Sequence, residues 1–233
     1  MTATTPARGS PPLHPMPFVR LELVILSVQD GTLQVLLSHR KEDPQKGKWG
    51  LPGGVLRIDT DKNLEFASQR VAIERLGSAL PNLSQVAAVG GPERYKERAA
   101  WGLSVIYRSL VQPDLQTTPG KRVQALQWRP VDDVVTSKNI AFDHAALVGQ
   151  AVDALRREIR ELKFPQGWMS EEFTLSELQA LSESVLGERL DKVTFRRRVE
   201  VSQIAAPLEG KMRTGGAFRP AQLYSLVNDV PGS

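Results

Sequence analysis

Three positions on one predicted helix decide what chemistry this chain can perform. The stretch from Trp49 to Gly77 reads as an extended entry, a glycine turn at Gly53-Gly54, a loop, and a helix from Leu64 to Leu76. Phe66, Ile73 and Leu76 recur at helical spacing, Val71 and Ala72 widen the apolar side, and Gly77 suits a C-terminal cap. Metal-assisted hydrolysis of a pyrophosphate needs several carboxylates converging on Mg²⁺, which favours oxygen ligands in octahedral geometry. A helix presents three such groups on one face at i, i+3 and i+4. Those positions here are Val71, Glu74 and Arg75, so one acid stands beside an apolar side chain and a guanidinium that repels cations. The segment therefore reads as a binding site with no catalytic residues, no metal ligands and no required cofactor. Two other readings stay open. One is an Mg²⁺-dependent pyrophosphatase using Glu74 with Glu65, Asp59 or Asp61, with the rest of the chain as an interaction module. The other is a plain turn followed by a core helix.

A second chemistry-bearing cluster lies near the C-terminus. From Arg189 to Arg219 eight basic residues face three acidic ones, whereas the preceding stretch is rich in glutamate. Thr174 opens a predicted helix with Glu177 placed for a capping box, Gly187 closes it, and Asp191 opens a second helix from Lys192 to about Ser202. Strands follow around 206–211 and 222–227, with a basic loop from Met212 to Arg219 between them. Two helices and a ribbon with a basic tip outline a winged helix-turn-helix. Phe195 and Val199 are expected to face the core. Thr194, Arg197, Arg198 and Val201 then share the outward stripe, flanked by Lys192 and Arg196. Arginine reads guanine bidentately, threonine and valine touch thymine methyls, and flanking cations hold phosphates. With Lys211, Arg213 and Arg219 on the wing, the expected partner is double-stranded DNA. The bland alternative is a solvated basic face.

The elements that must position these groups are legible in outline. Residues 1–17 hold five prolines among small polar residues and read as a disordered tail. Phe18 to Val28 is a strand with both faces buried, Asp30-Gly31 a tight hairpin turn, and Leu33 to Ser38 the returning strand. Further strands are expected at 86–89, 103–111 and 125–129, and a turn from Val131. Asp143 caps a long helix, His144 to Leu162, with Ala145, Val148, Val152, Leu155 and Ile159 on one stripe. Phe164-Pro165-Gln166-Gly167 is a break. The expected organisation is a tail over 1–17, a ligand domain over 18–143, a linker helix over 144–165 and a DNA-binding domain over 166–228, an α+β fold. The chain has 233 residues, no cysteine and a net charge of +4. It shows neither a membrane-length apolar run nor a signal-peptide pattern, so a cytoplasmic protein is expected.

The Trp49–Gly77 stretch resembles the Nudix box, in which a glycine, a glutamate and an Arg-Glu-apolar-any-Glu-Glu-any-Gly run recur at fixed spacing. Gly54, Arg70, Glu74 and Gly77 match. Thr60 stands near the first glutamate, two extra residues lengthen the loop, Val71 replaces the first helix glutamate and Arg75 the last. The resemblance implies a Nudix α/β/α sandwich and a site shaped for a nucleoside diphosphate linked to another group. Joined to the C-terminal run FTLSELQALSESVLGERLDKVTFRRRV, it resembles the Nudix-related transcriptional regulators of NAD metabolism, the NrtR family. That family implies a homodimer, an inverted-repeat operator, repression, and ADP-ribose or a related nucleotide as effector. The ligand would meet Arg40, Trp49, Gly53, Gly54 and Arg57 on the approach and turn, and Arg70, Glu74 and Arg75 on the helix. Arg94 and Arg98 would meet it from the loop Gly90 to Arg98.

Overall fold

The structure, a computed structural model, describes residues 16–165, 167–214 and 220–227. Residues 1–15 of the expected tail and Arg219 of the expected wing lie outside these. Strand β1 (Phe18–Gln29) is central. Its alternation sends Leu21, Leu23 and Ile25 into one core cluster and Val24 and Leu26 into another on the opposite face. This is why the strand reads as continuously apolar: both faces are covered. Asp30 and Gly31 carry positive φ angles, as a primed hairpin turn demands, and lead into β2 (Thr32–Arg40). The short strands β3 (Trp49–Gly50) and β4 (Gly53–Val55) pair with β2 and β1 respectively. Strand β6 (Gly102–Val111) runs parallel to β1, β5 (Ser84–Gly91) antiparallel to β6, and β7 (Val123–Pro130) antiparallel to β2. The resulting mixed sheet has helices on both faces, as expected for the Nudix sandwich.

Helix α1 (Leu64–Leu76) starts where Asn63 accepts from the Phe66 amide and ends at Gly77, whose φ of 71° places it in the left-handed region. Its buried side is only partly the expected one. Val71, Ala72 and Leu76 face the sheet as expected, joined by Ala67 and Ser68, while Phe66 and Ile73 are 46% and 53% exposed. The cause is close approach: a Cβ on Gly54 would lie 2.7 Å from Val71 Cγ2, so only small side chains fit between helix and glycine turn. A short helix α2 (Val131–Thr136) stands where only a turn is expected. Helix α3 (His144–Arg160) buries Val148, Val152, Leu155 and Ile159 as its periodicity predicts. Asp143 occupies the N-cap position but its side chain makes no cap bond, contrary to expectation, because its carboxylate is held elsewhere.

The C-terminal part forms α4 (Leu175–Leu186), α5 (Lys192–Ser202) and a ribbon of β8 (Ala205–Arg213) and β9 (Ala221–Leu226). The Thr174/Glu177 capping box is complete, at 3.2 and 2.7 Å, and Asp191 caps α5 by accepting from the Thr194 amide. Leu178, Val185, Phe195 and Val199 belong to the same apolar cluster as α3 and the even-numbered side of β1. Arg156 Nε, on α3, donates to the Val185 carbonyl at 3.0 Å. The two halves of the chain therefore share one continuous core.

Gly53 is the tightest of these packings: a Cβ there would meet Glu22 Oε2 at 1.9 Å and the Leu21 carbonyl at 2.8 Å. Gly53→Ala is expected to lower stability by about 3 kcal/mol or more, as overpacking against backbone does. Gly91→Ala, which meets nothing within 4 Å, should change it by less than about 1 kcal/mol. Urea denaturation of the two variants checks the contrast.

Candidate functional site

A cavity of about 920 Å³ opens beside the glycine turn, a size that suits a nucleotide. Of the residues expected to bind ligand, Arg40, Gly53, Arg75, Arg94 and Arg98 line it. Arg20 from β1, with Phe18, Tyr95 and Phe142 as aromatic walls, completes the lining. Seven basic side chains stand against five acidic ones, and two of the lining cations are paired with lining acids: Arg94 with Asp143 and Arg122 with Glu42.

The positive charge is crowded and partly uncompensated. Arg75 Nε donates to the Gly53 carbonyl at 2.8 Å and its Nη1 to the Lys121 carbonyl at 2.5 Å. Arg40 Nε donates to the Pro44 carbonyl at 3.0 Å, and its guanidinium lies 4.9 Å from the centre of the Phe142 ring. Among the described residues neither has a carboxylate within ion-pair distance. Burial, and then repulsion from Arg20, hold both guanidinium groups below their usual range. Such groups are stabilised by an incoming phosphate.

Beneath them lies Glu22, fully buried. Burial works to raise its pKa, but attraction to Arg20 and hydrogen bonds from Arg20 (2.9 Å) and Tyr95 (3.0 Å) hold it below the usual carboxylate range. Tyr95 also shares a hydrogen bond with Ser104 Oγ at 2.7 Å, and burial, followed by the Glu22 charge, pushes its phenol well up, so it stays protonated. His144 accepts from the Leu51 amide through Nδ1 at 2.9 Å, and burial holds it below the usual histidine range. It is therefore a neutral imidazole with its proton on Nε2, 4.0 Å from Glu22 Oε1.

The other expected ligand residues do not reach the cavity. Arg57 grips Glu74 through two hydrogen bonds of 2.7 and 3.0 Å. Arg70 bonds Asp61 at 2.6 and 2.7 Å, the Val55 carbonyl at 2.9 Å and Glu74 at 3.3 Å. Gly54 seats against Val71. Trp49 packs edge-on to His39 with Arg129 over its ring at 4.8 Å. This set braces the loop between turn and helix. It does not fit a divalent cation: Glu74 lies between two arginines, Val71 is buried and apolar, and the Gly53 carbonyl is occupied by Arg75. Among the described residues no group of three His, Asp or Glu side chains converges as a metal site.

Arg20, Tyr95, Phe142 and Asp143 are absent from the sequence-based set. Arg20 and Glu22 do carry a signal, since two charges two residues apart inside an otherwise apolar strand must share one buried face. Phe142 and Asp143 join the site only through the fold.

The second surface is α5. Lys192, Val193, Thr194, Arg197, Arg198 and Val201 are exposed. Arg197 and Lys192 make no hydrogen bond or ion pair with the described residues. Thr194 Oγ1 bonds Asp191 at 2.7 Å. Arg198 Nη2 donates to the Arg160 carbonyl at 2.5 Å, and Arg196 tucks inward onto Ser176 at 3.1 Å. Lys211 lies against Glu172 at 2.5 Å. Arg213 belongs to β8 rather than to the loop and turns back onto Glu172 O and Glu177 at 3.2 and 3.3 Å. The free cations of the described residues in this region thus concentrate on the helix.

Comparison with known proteins finds a counterpart for each half of the chain. Residues 20–151 match the NUDIX domain and residues 166–226 the NrtR DNA-binding winged helix domain. The ADPR responsive transcriptional repressor NtrR of Acinetobacter baylyi is 34% identical over 214 residues, covering 92% of this chain and 84% of that protein. Shewanella oneidensis NrtR complexed with a 27mer DNA is 32% identical, with a TM-score of 0.74 over 90% of this chain and 93% of that one. The NUDIX domain of the same protein complexed with ADP ribose is 29% identical, with a TM-score of 0.54 over 61% of this chain and 90% of that one. With both domain matches and a repressor this similar over nearly its whole length, the chain belongs to the NrtR family of Nudix-related transcriptional regulators.

Proposed function

We propose that the chain is a ligand-responsive transcriptional repressor whose NUDIX domain binds ADP-ribose or a closely related NAD metabolite without hydrolysing it. The observation that carries this reading is the joining of two surfaces through one core: a cavity with half-buried arginines lacking carboxylate partners, and a helix exposing Arg197 and Lys192. It works in the cytoplasm as a homodimer on an inverted-repeat operator, one α5 to each half-site. No helix of the described residues is long and apolar enough to cross a membrane.

The cavity's role is tested by calorimetry with ADP-ribose in the absence of metal. Arg75→Ala and Arg40→Ala are each expected to weaken binding about tenfold or more, in line with the roughly 1.5–3 kcal/mol of a charge-assisted hydrogen bond. Unchanged affinity in both would remove the cavity as the site. No Mg²⁺-dependent breakdown of ADP-ribose is expected. Turnover that disappears in Glu74→Gln would replace this reading with the pyrophosphatase one.

The DNA-binding reading rests on α5. Arg197→Ala is expected to weaken binding to a duplex from the gene's own upstream region by about 5- to 150-fold, the 1–3 kcal/mol of one good base contact. Arg198→Ala should cost less, because its guanidinium is already held by the Arg160 carbonyl. Loss confined to non-specific binding would contradict base reading by Arg197.

Val193 and Val201, one turn either side of Arg197, are 75% and 78% exposed, more than the other large apolar side chains among the described residues. Apolar groups so placed suit thymine methyls. Replacing operator thymines one at a time by deoxyuridine should weaken wild-type binding at particular positions. At one of these the loss should vanish in Val193→Ala. A loss that persists at every such position would remove this role for Val193.

A further inference from the structure

The carboxylate of Asp143 has two uses and can serve only one at a time. It precedes α3, where an aspartate ordinarily caps by accepting from the amides of the first turn. Instead Arg94 holds it bidentately, at 2.6 and 3.2 Å, while Arg94 Nε is anchored on Ser104 at 2.8 Å. Both Arg94 and Asp143 line the cavity. The preceding residue, Phe142, has a φ of 54°, a left-handed conformation that a bulky side chain adopts only when its surroundings impose it. Those surroundings are again the cavity wall: Arg40 over its ring at 4.9 Å, and Gln45 Oε1 accepting from its amide at 3.3 Å. The Ala146 and Leu147 amides already donate to the Asp143 carbonyl, at 2.9 and 3.2 Å, so the amide that lacks a cap is that of Ala145. The start of α3 is therefore held without a side-chain cap, and strained at Phe142, by the groups that an anionic ligand would engage.

The far end of the same helix holds the winged helix. At 1.5 Å per residue its 17 residues span about 25 Å. Its C-terminal portion donates from Arg156 to the Val185 carbonyl at the end of α4, pairs Arg160 with Glu188 at 3.2 Å, and offers the Arg160 carbonyl to Arg198 of α5.

We propose that Asp143 is a latch between cavity and winged helix. Phosphate oxygens of a ligand take Arg94, the carboxylate turns to cap the first turn of α3, and the strained Phe142 relaxes. The helix then settles differently against the sheet, and its last turn changes its hold on Arg198 and α4. This rests on the effector reading above and deepens it by naming the route. It requires only that the ligand favour the capped arrangement over the paired one.

Hydrogen exchange on the full chain, with ADP-ribose as the probe, reads the latch directly. In the wild type, ADP-ribose should slow exchange at the amide of Ala145. In Asp143→Ala this slowing should be absent, and ADP-ribose should bind several-fold more tightly by calorimetry, because Arg94 has no competing anion. Asp143→Asn keeps a capping oxygen without the charge. It should show slowed exchange before any ligand is added, and its affinity for the upstream duplex should move toward that of ligand-bound wild type. If wild type binds ADP-ribose yet Ala145 exchanges as before, or if Asp143→Ala shows the same slowing, the latch is overturned and the effector reading stands. If wild type binds no ADP-ribose, the effector reading falls and takes the latch with it.

Discussion

An ionised carboxylate buried in the middle of an apolar strand sets the conditions for the whole site. Glu22 is fully enclosed, and an unpaired charge there would be severely destabilising. Its partners are consequently fixed. Arg20 must lie back along β1, Tyr95 must reach in from the loop and bring Ser104 with it, and position 53 must be glycine because Glu22 Oε2 occupies the space of a Cβ. His144 completes the ring from the first residue of α3 and is tied through Nδ1 to the chain just before the glycine turn. One buried charge thus draws β1, the turn, the loop and α3 to a single point, and the cavity is what remains above it.

The same point bears on the proposal that this Nudix scaffold binds its ligand without metal chemistry. Val71 is fully buried against Gly54, so the i position that elsewhere would hold an acid serves packing here. Arg75 extends a guanidinium to the Gly53 carbonyl, placing fixed positive charge beside the turn. Glu74, the remaining acid of that helical face, is held by Arg57 and Arg70. Burial raises its pKa, but these guanidinium groups outweigh that and keep it below the usual carboxylate range. A guanidinium anchored at two of its nitrogens would offer a phosphate charge and direction together, without recruiting an ion.

Much of this was readable from sequence where the physics is local. Continuous apolarity over β1 indicates two covered faces. The Thr174/Glu177 and Asp191 caps and the Phe195/Val199 pair follow from spacing along one helix, and the structure has all of them. What sequence did not disclose depends on distant partners. Phe66 and Ile73 look like core residues by period, yet the closeness of Gly54 to Val71 selects the small-residue side of α1. Asp143 looks like an ordinary cap until Arg94, 49 residues away, is placed beside it. Lys211 and Arg213 look like wing cations available to a phosphate, but Glu172 and Glu177 stand against them across the fold.

The continuity of the core limits how a ligand signal can travel. Apolar side chains pack without interruption from Val24 and Leu26 through α3 to Val185 and Val199. A winged helix attached in this way does not swing freely, since large displacement would expose that surface at about 25 cal/mol for every Å² uncovered. Packed interfaces instead move between discrete, closely spaced arrangements. The polar contacts at the two ends of α3 are the ones that can change without opening the core: Arg94 with Asp143 at one end, Arg160 with Arg198 and Glu188 at the other. Arg198 stands on the exposed face of α5 while its guanidinium is bound to the end of α3. On the latch proposal, a small shift of that helix would change how Arg198 is held, and so what the face presents, without opening the core beneath it.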